Sequence, residues 1–486
     1  MSTFVVGCAL VATVLTVSAL LSGLVERAPL SFPMIFLGLG FVLGEGGLGV
    51  ITIGPHSPFL EAVAIVSLAL VLFLDAVKLQ VDELRDDWRI PMLSLGPGTL
   101  LTIVGVAVAA FALLRTTPLQ SLLLGAVLAS TDPVTLRDIA RDERIPRSIR
   151  RALGVEAGMN DIVVLPIVLI LIAVLRVEGG GALDWLTFLG QLLVLSPLVG
   201  LAVGGLGAAA MGRADARFGI RREYQALYGI GLVLASYAAG QAVGGDGFLA
   251  AFFAGLAINI FNVSLCDCFM EYGEVNSEMA MLLAFVLFGA VLSTLLRTIP
   301  FISSVALAVL VIGVVRPIAM GLVLQRATMS HTARGFIGWF GPRGLSSLLL
   351  ALLVVQAGVP DGERLLALVG MVVCVSVLLH GASASPLSAW YGRRVATSQR
   401  TLAEEREGTA SGLFQREASG VPRISVEELA KRLAGLNPPI VLDVRSRAHH
   451  SQEVYEIPGS IRVLPDRVEE WAAKATRDRA VVTYCT

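Results

Sequence analysis

Long apolar runs alternate with short polar stretches over roughly the first 390 residues of the chain. A helix that crosses a bilayer needs about 20 apolar residues. On that rule the runs predict about thirteen helices, centred near residues 13, 42, 68, 103, 130, 163, 198, 232, 254, 285, 312, 346 and 375. A polar stretch from Asn262 to Glu274, with no basic residue in it, is expected as the loop between the ninth and tenth. After Trp390 the character changes. Residues 392–423 are polar and mixed in charge, as in an exposed linker. From Ile424 the pattern is that of a soluble domain. Ser425-Val426-Glu427-Glu428 predicts a capped helix, and Pro439–Val444 and Ala480–Tyr484 predict buried strands. The organisation expected is a polytopic all-α membrane domain over residues 1–391, a linker over 392–423 and a partial α/β domain over 424–486.

Composition agrees. Charged residues make up 15% of the chain and hydrophobic ones 55%, against about 25% charged in a soluble domain. A net charge of −1 argues against nucleic acid as a partner. The five cysteines form no secreted-type framework, and Cys266 and Cys268 are too close and too solitary for a zinc site. No Lys or Arg precedes Arg27, whereas a cleavable signal peptide needs a positive start, so the first run is expected to be a retained span.

The basic residues fall on alternate loops. One set holds Arg27, Lys78, Arg85 and Arg89, six arginines from Arg137 to Arg151, four from Arg213 to Arg222, and Arg326 and Arg334. The other holds only Arg115, Arg176, Arg297 and Arg364. The positive-inside rule makes the first set cytoplasmic, with the N-terminus outside and the C-terminus inside a cell (inner) membrane. Trp88, Trp185 and Trp390 fall near helix ends, where interfacial tryptophans belong.

Several residues do not belong in hydrocarbon. A charged side chain at the centre of a membrane helix costs about 2.5–3.5 kcal/mol even on lenient scales. The sixth run nevertheless carries Glu156, Asn160 and Asp161 within Gly154–Asp161. The fifth contains Thr131-Asp132-Pro133, and the twelfth Gly341-Pro342-Arg343-Gly344. Proline removes a backbone hydrogen bond, and such breaks persist only where the freed groups line a cavity or are buried in protein. Paired breaks in corresponding positions point to an inverted-repeat carrier with its site at the midplane. Spans one to six and eight to thirteen fit as the two six-helix repeats, with two crossed discontinuous helices. Asp132 is then expected near helix N-terminal ends and Arg343 near C-terminal ends. Glu156 needs a positive partner, for which Arg316 is the first candidate and Arg343 the second. Asp161 is left without a cation, and so is available to a transported one. A carboxylate in a partly dry cavity can take either a proton or a metal ion near neutral pH. Oxygen ligands for a hard monovalent cation are at hand in Asp161, Asn160, Thr131 and Asp75, and Asp132 is counted with them in the candidate cation/proton site. The plainer readings are ordinary kinks at Pro133 and Pro342, a snorkelling Asp75, a chain turn at Gly244–Phe248, and interfacial or core histidines at His331 and His380.

Thr131-Asp132-Pro133, Asn160-Asp161, Arg316-Pro317 and Gly341-Pro342-Arg343-Gly344, with Gly247–Phe252, resemble the monovalent cation/proton antiporters, in particular the prokaryotic sodium/proton exchangers related to the animal ones. The resemblance implies a homodimer, with a dimerisation domain of spans one to three and eight to ten. Spans four to six and eleven to thirteen are then a mobile bundle working by an elevator. It implies Asp161 as the shared site for H⁺ and Na⁺ or Li⁺, with K⁺ the alternative, aided by Thr131 and Asp75. Asp132 belongs to the helix crossover, and Glu156 with Arg316 to the bundle. Asn160 before Asp161 implies electroneutral exchange, and no cofactor is called for. Ala157 departs from the pattern, since many relatives have serine there. A cation channel fits less well than a carrier.

In the tail, Val441–Arg445, Ile457–Ile461 and Val481–Cys485 resemble the rhodanese domain, whose cysteine opens an anion-cradling loop. Here only Thr486 follows Cys485, so the segment is expected to be a partial domain without sulfurtransferase activity, either cut short, vestigial or regulatory.

Overall fold

The computed structural model describes residues 10, 12–14, 16–20, 31–79, 89–133, 136, 139–140, 142, 144–176, 181–261, 263–327, 329–397, 424, 426–435, 438–444, 456–463, 471–472 and 479–484. It divides into two compact units, residues 1–413 and 414–486.

The first unit is helical. Its elements are α1 (Phe32–Leu43), α2 (Pro58–Lys78), α3 (Thr99–Leu114), α4 (Pro118–Ala129), α5 (Arg147–Leu175), α6 (Ser196–Phe218), α7 (Arg222–Ala242), α8 (Gly247–Phe261), α9 (Val263–Leu295), α10 (Phe301–Leu310), α11 (Arg316–Val323), α12 (His331–Trp339), α13 (Leu345–Gln356) and α14 (Gly362–Thr397). Among the described residues, seven helical stretches are long and apolar enough to cross a membrane, and four apolar helices are shorter: Phe32–Leu43, Pro118–Ala129, Gly247–Phe261 and Leu345–Gln356.

Local sequence explains several boundaries. Thr117 and Gln120 cap the start of α4 reciprocally, with Pro118 at its first position. Prolines also leave their mark inside helices. A wider π turn spans Ser94–Gly98 around Pro97, and others precede Pro197 and Pro317, at Gln191–Leu195 and Val311–Val315. A missing N–H is absorbed in each by letting the helix slip one residue.

Two predicted centres meet interruptions. The one near residue 130 falls on non-helical Ser130, just after α4 ends, and the one near 346 lies one residue inside α13, after a gap at Phe340–Gly344. The stretch expected as a loop from Asn262 to Glu274 is helical from Val263 onward and forms the start of the 33-residue α9. It has no proline, and at about 1.5 Å per residue the helix reaches well past a hydrocarbon core, so its polar residues sit on helix rather than in a turn.

The helices pack as two groups. In the first, α1 and α2 lie on α9, and α8 lies on α2, α6 and α7. Glycines set the spacing. Gly200 and Gly204 on α6 face the backbone of Ala250 and Ala254 on α8, leaving no room for a Cβ. In the second group α3 packs on α4, α4 on α5, α11 on α12, and α13 on α14. The two groups meet where α2 touches α5 and α9 touches α14.

The second unit contains α15 (Val426–Leu433) and a parallel sheet ordered β2-β1-β3, from strands β1 (Ile440–Asp443), β2 (Ile461–Arg462) and β3 (Val481–Tyr484). β1 is buried from Val441 to Asp443 as expected, but β3 alternates exposed and half-buried positions because it stands at the sheet edge. Ser425 of the expected cap and Cys485 lie outside the described residues.

Candidate functional site

The two helix interruptions touch. α4 stops at Ala129, and Ser130, Thr131 and Asp132 continue without helical bonding. The Asp132 amide donates to the carbonyl of Pro342 at 2.9 Å, across to the gap between α12 and α13. Freed main-chain groups therefore satisfy one another, as interrupted helices in a membrane require.

Charged side chains satisfy the rest. Arg343 Nη1 donates to the carbonyls of Ala129 at 2.8 Å and Ser130 at 2.9 Å, which caps the C-terminal end of α4. Arg316 Nη2 donates to the Phe340 carbonyl at 3.2 Å and points at that of Ile337, so a second guanidinium serves the end of α12. Asp132 lies against Gly344, the residue that opens α13, where a carboxylate meets the positive end of the helix dipole. Gly341 lies against the Arg316 guanidinium in the same way, and a Cβ at either glycine collides with the charged group.

The expected placement of Asp132 at an N-terminal helix end and Arg343 at a C-terminal one matches this geometry. The role of Arg316 at the end of α12 was not visible in the sequence, because it depends on the register that the π turn before Pro317 creates. Arg316 also faces Glu156, with Nη1 2.7 Å from Oε1. Of the two partners considered for Glu156, Arg316 is the one at ion-pair distance.

Asp161 sits one turn further along α5. It accepts a 2.5 Å hydrogen bond from Ser130 Oγ, and the Ser346 hydroxyl faces it as well. A short bond of this kind is the charge-assisted sort that a carboxylate attracts. Asn160 donates from Nδ2 to the Ala129 carbonyl at 3.1 Å, tying α5 to the first break. Its Oδ1, and Thr131 Oγ1, are buried without a hydrogen-bond partner among the described residues. Buried oxygens without a donor are what a desolvated hard cation would take as ligands. Asp75, on α2 in the other packing group, reaches α5 at Gly158, where its carboxyl lies about 4 Å from the space a Cβ would fill. Gly158 and Asp161 are three residues apart and so share a helix face. Pro133 follows directly in the first break.

Asp132, Glu156, Asp161, Arg316 and Arg343 are each at most 3% exposed, and Asp75 is 7% exposed. The cluster holds four carboxylates against two guanidinium groups. Ion pairing consumes Glu156, and helix ends take up Asp132, Arg316 and Arg343. Neither Asp161 nor Asp75 is in an ion pair among the described residues. Ser130 and Ser346 were not singled out from sequence, and their only signal was a hydroxyl beside a break.

His380, read as a core or interfacial histidine, is buried. Its Nε2 lies 3.0 Å from the Trp339 carbonyl, and its Nδ1 lies 3.0 Å from Ser376 Oγ, which in turn accepts from the Arg343 amide at 2.7 Å. Nδ1 also lies 2.9 Å from the Ser376 carbonyl, so the ring is held at both nitrogens. It anchors the second break to α14.

A family model described as "Sodium/hydrogen exchanger, transmembrane" matches residues 12–390. The K(+)/H(+) antiporter NhaP of Alkalimonas amylolytica is 28% identical over 370 residues, covering 74% of this chain and 62% of that one. The K(+)/H(+) antiporter NhaP2 of Shewanella sp. (strain MR-4) is 29% identical over 392 residues, 79% of this chain and 66% of its own length. The chain thus spans just under two thirds of the length of these curated relatives. The solved sodium proton antiporter MjNhaP1 of Methanocaldococcus jannaschii shares the fold, with a TM-score of 0.69 at 19% identity over 81% of this chain and 100% of that one.

Proposed function

Because the chain belongs to the sodium/hydrogen exchanger family, we propose that it exchanges a monovalent cation for H⁺ across a membrane, with Asp161 holding either in turn. One observation carries the reading. Asp161 is a buried carboxylate at two joined helix breaks, and among the described residues its hydrogen bonds come from hydroxyl groups, with unpartnered oxygens on Thr131 and Asn160, the residues next to Ser130 and Asp161. A proton or a cation with oxygen ligands can satisfy that set, but not both at once, and this exclusion is what couples the two fluxes.

In this reading the break-carrying group of α3–α5 and α10–α14 moves against the group of α1, α2 and α6–α9, as in an elevator, within thirteen spans arranged as inverted repeats. The second group is the frame and carries the homodimer contact. Asp75 on the frame would meet the ion in one of the two positions. The N-terminus is outside and the C-terminus inside a cell (inner) membrane, as the distribution of arginines suggests. The tail is read as a rhodanese-like segment, vestigial or regulatory, on the strength of its sequence motifs; it holds a small parallel sheet.

Na⁺ or Li⁺ is the first expectation for the ion. K⁺ is the second reading, favoured by the names of the relatives from Alkalimonas and Shewanella. Proteoliposomes loaded with a pH gradient and given Na⁺, Li⁺ and K⁺ in parallel test both. Saturable collapse of the gradient with at least one ion is expected. No ion above the protein-free background would overturn the proposal.

A further inference from the structure

A groove of about 900 Å³ runs between α12 and the far part of α14, apart from the carboxylate cluster. Its wall is formed by Gly335, Phe336, Trp339, Leu387 and Trp390, with Arg394 among its lining residues. Its volume is within the roughly 300–1,000 Å³ of small-molecule sites. The chemistry is one-sided: apolar and aromatic along the length, with a cation where the groove meets the end of α14. Arg394 is stacked over Trp390, its Cζ 5.5 Å from the ring centroid, so the charge is held in place rather than swinging free. Tryptophan and arginine together are the pair that anchors at the headgroup level of a bilayer.

We propose that this groove binds one anionic phospholipid, with an acyl chain along Phe336, Trp339 and Leu387 and the phosphate on Arg394. Charge complementarity selects this occupant. A zwitterionic lipid fills the apolar length too, but its own ammonium group offsets the phosphate at the guanidinium. The site also touches the second helix break. Trp339 and Phe340 both line the groove, and their carbonyls are the ones held by His380 and Arg316. A bound chain therefore packs against the segment that keeps α12 and α13 apart.

Fluorescence of the full chain in vesicles tests this, with Trp88, Trp185 and Trp471 replaced by Phe so that Trp339 and Trp390 report. Brominated phosphatidylglycerol is expected to quench at a roughly five-fold lower mole fraction than brominated phosphatidylcholine, the preference that one arginine confers at an acidic surface. Arg394→Gln should make the two lipids equivalent. Gly335→Leu should remove the quenching by both, because a side chain there projects into open space and fills the groove. Native mass spectrometry of the chain with all its tryptophans gives a second reading, one retained phosphatidylglycerol that Arg394→Gln loses. Equal quenching by both lipids in the Arg394 protein, or a preference that survives Arg394→Gln, would overturn the proposal. Neither readout depends on ion exchange.

Discussion

The Asp132 amide donates to the Pro342 carbonyl at 2.9 Å, so the two interrupted helices meet main chain to main chain. Each break also holds a charge over the other: Arg343 lies on the end of α4, and Asp132 lies at the start of α13. The joined breaks therefore form one polar unit, and any change at one break is felt at the other.

Glycine at position 344 follows from that closeness. Gly344→Ala drives a methyl into the Asp132 carboxylate and displaces it. Exchange should fall on the order of 10²-fold, as displacements near 1 Å do in a tuned site. Gly321→Ala, where a methyl meets open space, should leave the rate unchanged. Initial rates in proteoliposomes, normalised to folded protein, make the comparison.

Glu156 and Arg316 form a buried pair at 2.7 Å. Removing one partner strands the other charge, which costs about 3–5 kcal/mol, whereas replacing both by apolar groups costs far less. Glu156→Gln should lower the thermal unfolding temperature in detergent sharply, and Glu156→Leu with Arg316→Leu should recover most of it. Equal losses in the single and double variants would contradict a pair.

His380 has both ring nitrogens engaged. If it is an anchor for the second break, His380→Gln should slow exchange by about ten-fold, the worth of one buried hydrogen bond. The pH profile should keep its shape. A shifted pH optimum would make the histidine a sensor instead.

Exchange should also be indifferent to membrane potential, since Asn160 stands where a second carboxylate would add charge to the moving site. Rates measured at zero and at an imposed potential of about 100 mV should agree, whereas net movement of one charge would feel roughly 2.3 kcal/mol.

Most of this site was readable from the sequence because its residues are improbable in a membrane. Asp132, Glu156, Asp161 and Arg343 stand out against apolar neighbours, and Pro133 and Pro342 announce the breaks. The partner of Glu156 was open between two arginines, since the choice turns on the helix register that the π turn before Pro317 sets. Ser130 and Ser346 were passed over because hydroxyl residues are common in membrane helices and only the fold aims these two at Asp161. The start of α9 is polar and so has the look of a loop in sequence, although the stretch lacks the proline that would stop a helix. In the tail, β1 and β3 were found by their apolar runs, but which of them lies at the sheet edge depends on pairing, not on composition.

The central claim is that one carboxylate serves both ions. Asp161→Asn keeps the shape of the side chain and an oxygen to accept from Ser130, but it can neither release a proton nor neutralise a cation. In proteoliposomes with an imposed pH gradient and the preferred cation outside, this variant should show no cation-dependent H⁺ flux above protein-free vesicles while eluting as the native protein does. Flux at the unsubstituted rate would contradict the account.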